Sequence, residues 1–165
     1  MRTIRRVSAT SEQRGGLAEH KLIVGALAVS LAAIDLIEKG LDRTRLIDYH
    51  PRSYFWAATS ALLVVAAFAL AHLRSRAVAI SAGVTAGGVV ANLISAIAAN
   101  GRVPNPIVIG SGRDGVAFNL ADVFTLIGLF ALIGSVCVVL VVHRERLLPP
   151  RAWERALWRK LSGGR

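Results

Sequence analysis

Cysteine, acidic and aromatic side chains are all scarce in this chain of 165 residues: 1 Cys, 10 Asp and Glu against 20 Lys and Arg, and 6% Phe, Trp and Tyr. The single Cys137 excludes an intramolecular disulfide, and its place inside an apolar run leads us to expect a buried structural thiol. His20, His50, His72 and His143 fall near the ends of different apolar runs. That spacing gives no metal-ligand cluster, so neither a metal nor another cofactor is expected. Formal charge is missing altogether from Val123 to Val142, 20 residues in a row. A helix rising about 1.5 Å per residue crosses a bilayer core in that length, which excludes an ordinary soluble domain.

What the chain has instead is apolar residues, 54% of the total, gathered into four runs near 22–39, 53–72, 77–99 and 118–142. The expected fold is an all-α integral membrane protein, a four-transmembrane-helix bundle. Of the 20 cations, 14 lie before the first run, between the second and third, or after the fourth. The positive-inside rule then places both termini in the cytoplasm, and the excess of positive charge is explained without any nucleic-acid partner. Residues 1–20 are expected as a mobile, basic cytoplasmic segment, 21–142 as the membrane domain and 143–165 as a basic amphipathic tail. In that tail Trp153, Leu157 and Leu161 recur every fourth residue, as in a helix lying on the membrane surface. No small-residue cleavage pattern follows the first run, so it is expected to stay as an uncleaved helix.

The third run is dense in small residues, Ala79, Ser81, Ala82, Gly83, Ala86, Gly87, Gly88 and Ala91, which let helices approach closely in lipid. It should occupy the middle of the bundle, antiparallel to the second run across the short turn at Arg74. Tyr54, Phe55 and Trp56 fit an interfacial aromatic belt. Between the third and fourth runs, Val103 to Ile109 suits a short extended segment and Ser111 to Gly115 a turn.

Several polar residues then fall at one membrane depth on different helices: Asp35 and Lys39, Asn92, and Asn119 with Asp122. Each has a structural explanation. Asp35 and Lys39 can form an i, i+4 ion pair, Asn92 an interhelical hydrogen bond, and Asn119 with Asp122 the N-terminal cap of the fourth helix. Together they also suggest a site in the outer half of the membrane. A carboxylate such as Asp122 is costly in lipid unless something pairs or uses it.

The stretch Gly87-Gly88-Val89-Val90-Ala91-Asn92-Leu93-Ile94, then Gly101 and Val103, then Phe118-Asn119-Leu120-Ala121-Asp122 before an apolar helix, resembles the lipoprotein signal peptidases, or signal peptidase II. Asp35 and Lys39 match the spaced Asp and Lys of that family's first helix. The resemblance implies an aspartic endopeptidase of the bacterial inner membrane that faces outward and removes the signal peptide of diacylglyceryl-modified prolipoproteins. It implies Asp122 as one catalytic carboxylate and Asp35, Lys39, Asn92 and Asn119 as substrate-binding residues. Partners would be a lipidated prolipoprotein or signal peptide and membrane lipids.

The second aspartate of that family aligns with Asn105. A carboxamide donates and accepts hydrogen bonds but does not shuttle protons near neutral pH. The family's Asp-Arg pair after Asn-Leu-Ile is Ser95-Ala96, and its Gly before that Asn is Ala91. No Asn-x-Gly-x-Ala-Phe-like segment occurs between His50 and Trp56, and the first outer loop is shorter than the one that forms a small sheet in the family. Enzymatic activity is therefore an open expectation: Asp114 could supply a second carboxylate, and Asp35 less readily because Lys39 lies beside it. The alternatives are a catalytically silent relative that binds lipoproteins, signal peptides or another membrane protein, and an assembly subunit in which the polar cluster serves helix packing.

Overall fold

The computed structural model describes residues 2–41, 48–73, 75–110 and 115–143, with the side chains of 2–15 and of Asp48 left aside. The chain is mostly helical: α1 spans Arg2–Leu41, α2 Tyr54–Leu70, α3 Arg76–Ala98 and α4 Leu120–Val142. Four stretches are long and apolar enough to cross a membrane, Gly16–Leu41, Tyr54–Leu73, Arg76–Ala98 and Leu120–Val142. The polar residues 2–20 belong to α1, which begins at Arg2 and continues through the Gly15-Gly16 pair.

Helix α1 buries His20, Val24, Ala28, Ala32 and Asp35. Their spacing of three or four residues draws a single stripe down one helix face, and Lys39 continues it. The stripe packs on α3, which is two-thirds buried (67%) whereas α2 and α4 are 11% buried. Small side chains explain the difference. A Cβ on Gly128 of α4 would stand 2.5 Å from the backbone nitrogen of Thr85, and one on Gly88 of α3 would collide with the Ala121 carbonyl and Thr125. Backbones can approach this closely only where no methyl group intervenes.

Helix α2 starts at Ser53, whose hydroxyl accepts a hydrogen bond from the Trp56 amide at 3.1 Å. A short 3₁₀ turn, Ala71–Leu73, and the N-cap Ser75 then lead into α3. Helix α2 leans on α3 and has little direct contact with α4. Tyr54 and Phe55 point outward, with 97% and 78% of their surfaces exposed. On α4 the buried positions Ala121, Gly128 and Leu132 form a narrow stripe. Cys137 lies off it and is exposed, which corrects the expected buried thiol.

At one end of the bundle, two small antiparallel sheets replace plain loops. Strand β1 (Asp48–Pro51) pairs with β2 (Arg102–Asn105), setting His50 opposite Val103 and Asp48 opposite Asn105. Strand β3 (Ile107–Ile109) pairs with β4 (Val116–Phe118). The extended segment expected at 103–109 is thus two strands, and the shorter first loop still contributes to a sheet. Because Phe118 belongs to β4, the fourth helix begins at Leu120. The amphipathic tail from Arg144 onward lies outside the described residues.

Candidate functional site

The polar residues of α1, α3 and α4 meet beneath the strands in one hydrogen-bonded chain. It starts on α1, where Asp35 and Lys39 form a 2.7 Å ion pair whose side chains are 0% and 5% exposed. Asp35 Oδ1 also accepts the backbone N–H of Ala121 at 2.7 Å. An acidic side chain of α1 therefore satisfies one of the free amides in the first turn of α4, where the helix dipole favours negative charge. Lys39 Nζ donates to Asn92 Oδ1 and to Ser95 Oγ, both at 3.1 Å. Asn92 turns its other end to α4, donating from Nδ2 to Asp122 Oδ1 at 2.8 Å.

Asp122 is the third residue of α4 and forms a capping box with Asn119. Asn119 Oδ1 accepts from the Asp122 amide at 2.9 Å, and Asp122 Oδ2 accepts from the Asn119 amide at 3.2 Å. This is a local consequence of the Asn-x-x-Asp spacing. Asn119 is completely buried, and its Nδ2 reaches the strands, donating to Asn105 Oδ1 at 2.7 Å and to the Pro104 carbonyl at 3.3 Å. Asn105, 2% exposed, uses Nδ2 for the Ala117 carbonyl and for His50 Nδ1, each at 3.1 Å.

The sequence candidates are thus brought together: Asp35, Lys39, Asn92, Asn105, Asn119 and Asp122 belong to one network. Each expected structural role is present in it as well, the ion pair, the interhelical bond and the cap. Asp114 lies outside the described residues. Asp35 and Asn119, expected from the resemblance to contact a substrate, show no exposed surface. They act on the site by fixing the start of α4.

Asp122 and Asn92 also line a cleft of about 300 Å³ between α2, α3 and α4. Trp56, Thr59, Ser60 and Leu63 form its α2 wall, with Arg52 just before that helix; Val89 lies on α3, and Thr125 stands beside Asp122 on α4. Its length along α2 from Trp56 to Leu63 is about 10 Å. The Arg52 guanidinium sits 5.1 Å from the centre of the Trp56 ring, a cation–π distance, and its Nε is buried without a hydrogen-bond partner. The cleft therefore combines an apolar wall, a carboxylate that accepts hydrogen bonds and an available guanidinium. Among the described residues there is no group of three His, Cys, Asp or Glu side chains placed to hold a metal.

Sequence reasoning missed His50, Arg52, Ser95 and Thr125. Ser95 and Thr125 lie three residues beyond Asn92 and Asp122, a helical neighbour relation that could have found them. His50 and Arg52 carry no such signal, since their places depend on strand pairing across more than 50 residues of chain. No protein-family model, curated protein or solved structure matches the chain.

Proposed function

We propose that this is a signal-peptidase-II-like protein of the bacterial inner membrane that binds a lipidated prolipoprotein or signal peptide in the cleft at Asp122 without cleaving it as an aspartic dyad would. The observation that carries this reading is the full commitment of Asn105. Its oxygen and both amide hydrogens are used by Asn119, Ala117 and His50. Dyad hydrolysis needs one carboxyl to activate water and another to hydrogen-bond the scissile carbonyl. Asn105 cannot take a proton from water, its amide hydrogens are already engaged, and the buried Asp35 is held by Lys39 and the Ala121 amide.

The cleft itself favours a ligand that arrives through the membrane. Little contact between α2 and α4 leaves an apolar entrance between them for an acyl chain or an apolar peptide segment. Asp122 and Arg52 then offer an acceptor and donors to the polar backbone that follows it. The strand end faces outward and both termini are cytoplasmic in this proposal, in keeping with 14 of 20 cations at the opposite positions.

The test uses the full chain in lipid nanodiscs with a photoreactive group at Leu63 and a synthetic signal peptide carrying a diacylated cysteine. The expected outcome is crosslinking without cleavage, weakened by Asp122→Asn, while Asn105→Asp gains measurable cleavage. Positioned acid–base catalysis is worth about 10²–10⁴-fold, so such a gain should be visible. Capture no better than that of a scrambled, unlipidated peptide would defeat the binding reading and leave helix packing as the role of the cluster. Cleavage by the unmodified protein would establish hydrolysis instead.

A further inference from the structure

Two of the helices that border the cleft begin with opposite electrostatics. The first turn of α4 has negative charge built in, since Asp122 sits there and Asp35 accepts the Ala121 amide. The first turn of α2 has no acidic residue, and Arg52 stands just ahead of its N-cap Ser53. The positive end of a helix dipole and a guanidinium therefore meet at one corner of the cleft. Among the described residues no carboxylate pairs with Arg52.

The Arg52 guanidinium is held ready for a ligand. Its backbone N–H donates to the Gly101 carbonyl at 2.8 Å, and its guanidinium lies against the Trp56 ring, which restrains the long side chain. Nε is buried without a hydrogen-bond partner, a cost that an incoming acceptor removes. The planar fork of a guanidinium matches the oxygens of a phosphate through parallel N–H···O bonds. Tyr54, Phe55 and Trp56 follow directly in sequence, and such aromatic residues at the end of a membrane helix mark the depth of lipid headgroups.

We propose that the cleft holds one membrane phospholipid, with its phosphodiester on the Arg52 guanidinium, its ethanolamine ammonium at Asp122 and its acyl chains left in the bilayer between α2 and α4. Charge complementarity selects this headgroup. Arg52 and Asp122 line the same cleft without forming an ion pair, so a cation and a carboxylate stand apart across it. A phosphoethanolamine group carries the matching anion and cation. Asp122 is half-buried, and its two oxygens each accept one hydrogen bond, from Asn92 and from the Asn119 amide, which leaves each a lone pair for an ammonium. A choline headgroup has no N–H and a glycerol headgroup no positive charge, so each suits Arg52 better than Asp122. A volume of about 300 Å³ is at the small end of ligand sites and takes a headgroup rather than two chains. The proposal goes beyond the signal-peptide reading and does not depend on it; a lipidated peptide entering the cleft would displace the lipid.

The test is native mass spectrometry of the full chain in mild detergent, offered phosphatidylethanolamine, phosphatidylcholine and phosphatidylglycerol in equal amounts. One phosphatidylethanolamine should be retained in preference to the others. Arg52→Gln should lower retention of every phospholipid about ten- to a hundredfold, the size of a lost charge-assisted hydrogen bond. Asp122→Asn should erase the preference for the ethanolamine headgroup while a phospholipid is still held. On the unmodified chain with one equivalent of phosphatidylethanolamine, solid-state NMR should show dephasing of the assigned Arg52 guanidinium carbon by the lipid phosphorus. That measurement decides the phosphate contact even if a variant fails to fold. Absence of dephasing, or retention by folded Arg52→Gln equal to that of the unmodified protein, overturns the proposal. Equal retention of the choline lipid overturns the place given to the ammonium at Asp122. Displacement of the lipid by soluble glycerophosphoethanolamine at the same concentration as by intact lipid would make this a site for a free phosphate ester and overturn lipid occupancy. No peptide is present, so failure here and failure of peptide capture remain distinct.

Discussion

Beneath the strands, α1, α3 and α4 meet through Asp35, Lys39, Asn92 and Asp122, whereas farther along the bundle the helices meet through Val24, Ala28, Val78, Ala82 and Leu132. Both regions are tightly packed, but they constrain the helices differently. Apolar contacts in lipid depend on shape, since lipid tails compete for the same surfaces. Hydrogen bonds depend on direction, and a shift of one residue would break several at once. The apolar region therefore brings the helices together, and the polar region sets their register. A site that needs fixed geometry belongs at the polar end.

The largest expected effect comes from removing one member of the buried ion pair. Lys39→Met should cost about 3–5 kcal/mol, because it leaves Asp35 buried opposite no cation. Thermal unfolding in a mild detergent would measure this, and adding Asp35→Leu should recover a large part of it. If the single variant unfolded like the unmodified protein, the polar end would not be setting the register.

A smaller effect is expected where close backbone packing joins the two regions. Gly88→Ala places a methyl group against the Ala121 carbonyl and Thr125, and overpacking of this kind costs about 1–3 kcal/mol. Helix α4 should move away from α3, weakening the Asn92–Asp122 bond. Unfolding data together with the Asn92 side-chain amide signal would check both parts. The smallest effect should come from Arg76→Ala near the start of α3. Its 2.6 Å pair with Glu19 has side chains 74% and 47% exposed, so solvent screening limits the loss to less than about 1 kcal/mol. A larger loss there would narrow the contrast between the two ends.

The elements legible in the sequence were those with local signals. Apolar length located all four helices, and the small residues of α3 marked the central one. The Asn119-x-x-Asp122 spacing marked a capped start, and Asp35 with Lys39 marked an i, i+4 pair. Their convergence followed from equal depth on separate helices. What remained hidden depended on distant pairing. Strand β1 has only four residues and ends in proline, so nothing local in it points to β2. The Asp35 contact with the Ala121 amide links residues 86 apart and has no sequence signature. At the N-terminus α1 runs through Gly15-Gly16, since two glycines weaken a helix without compelling it to end.

The lack of a side chain at Gly88 has a consequence for the membrane around the protein. Helices α3 and α4 are in backbone contact there and at Gly128, while α2 rests mainly on α3 and has little contact with α4 across the cleft. Hydrophobic mismatch therefore acts on the two sides of the cleft unequally. In bilayers of increasing acyl-chain length, the α2–α4 spacing should change while the Asn92–Asp122 hydrogen bond persists, as spin-label distances and amide NMR would show. Membrane thickness would then set how wide the entrance stands without altering the group that waits inside.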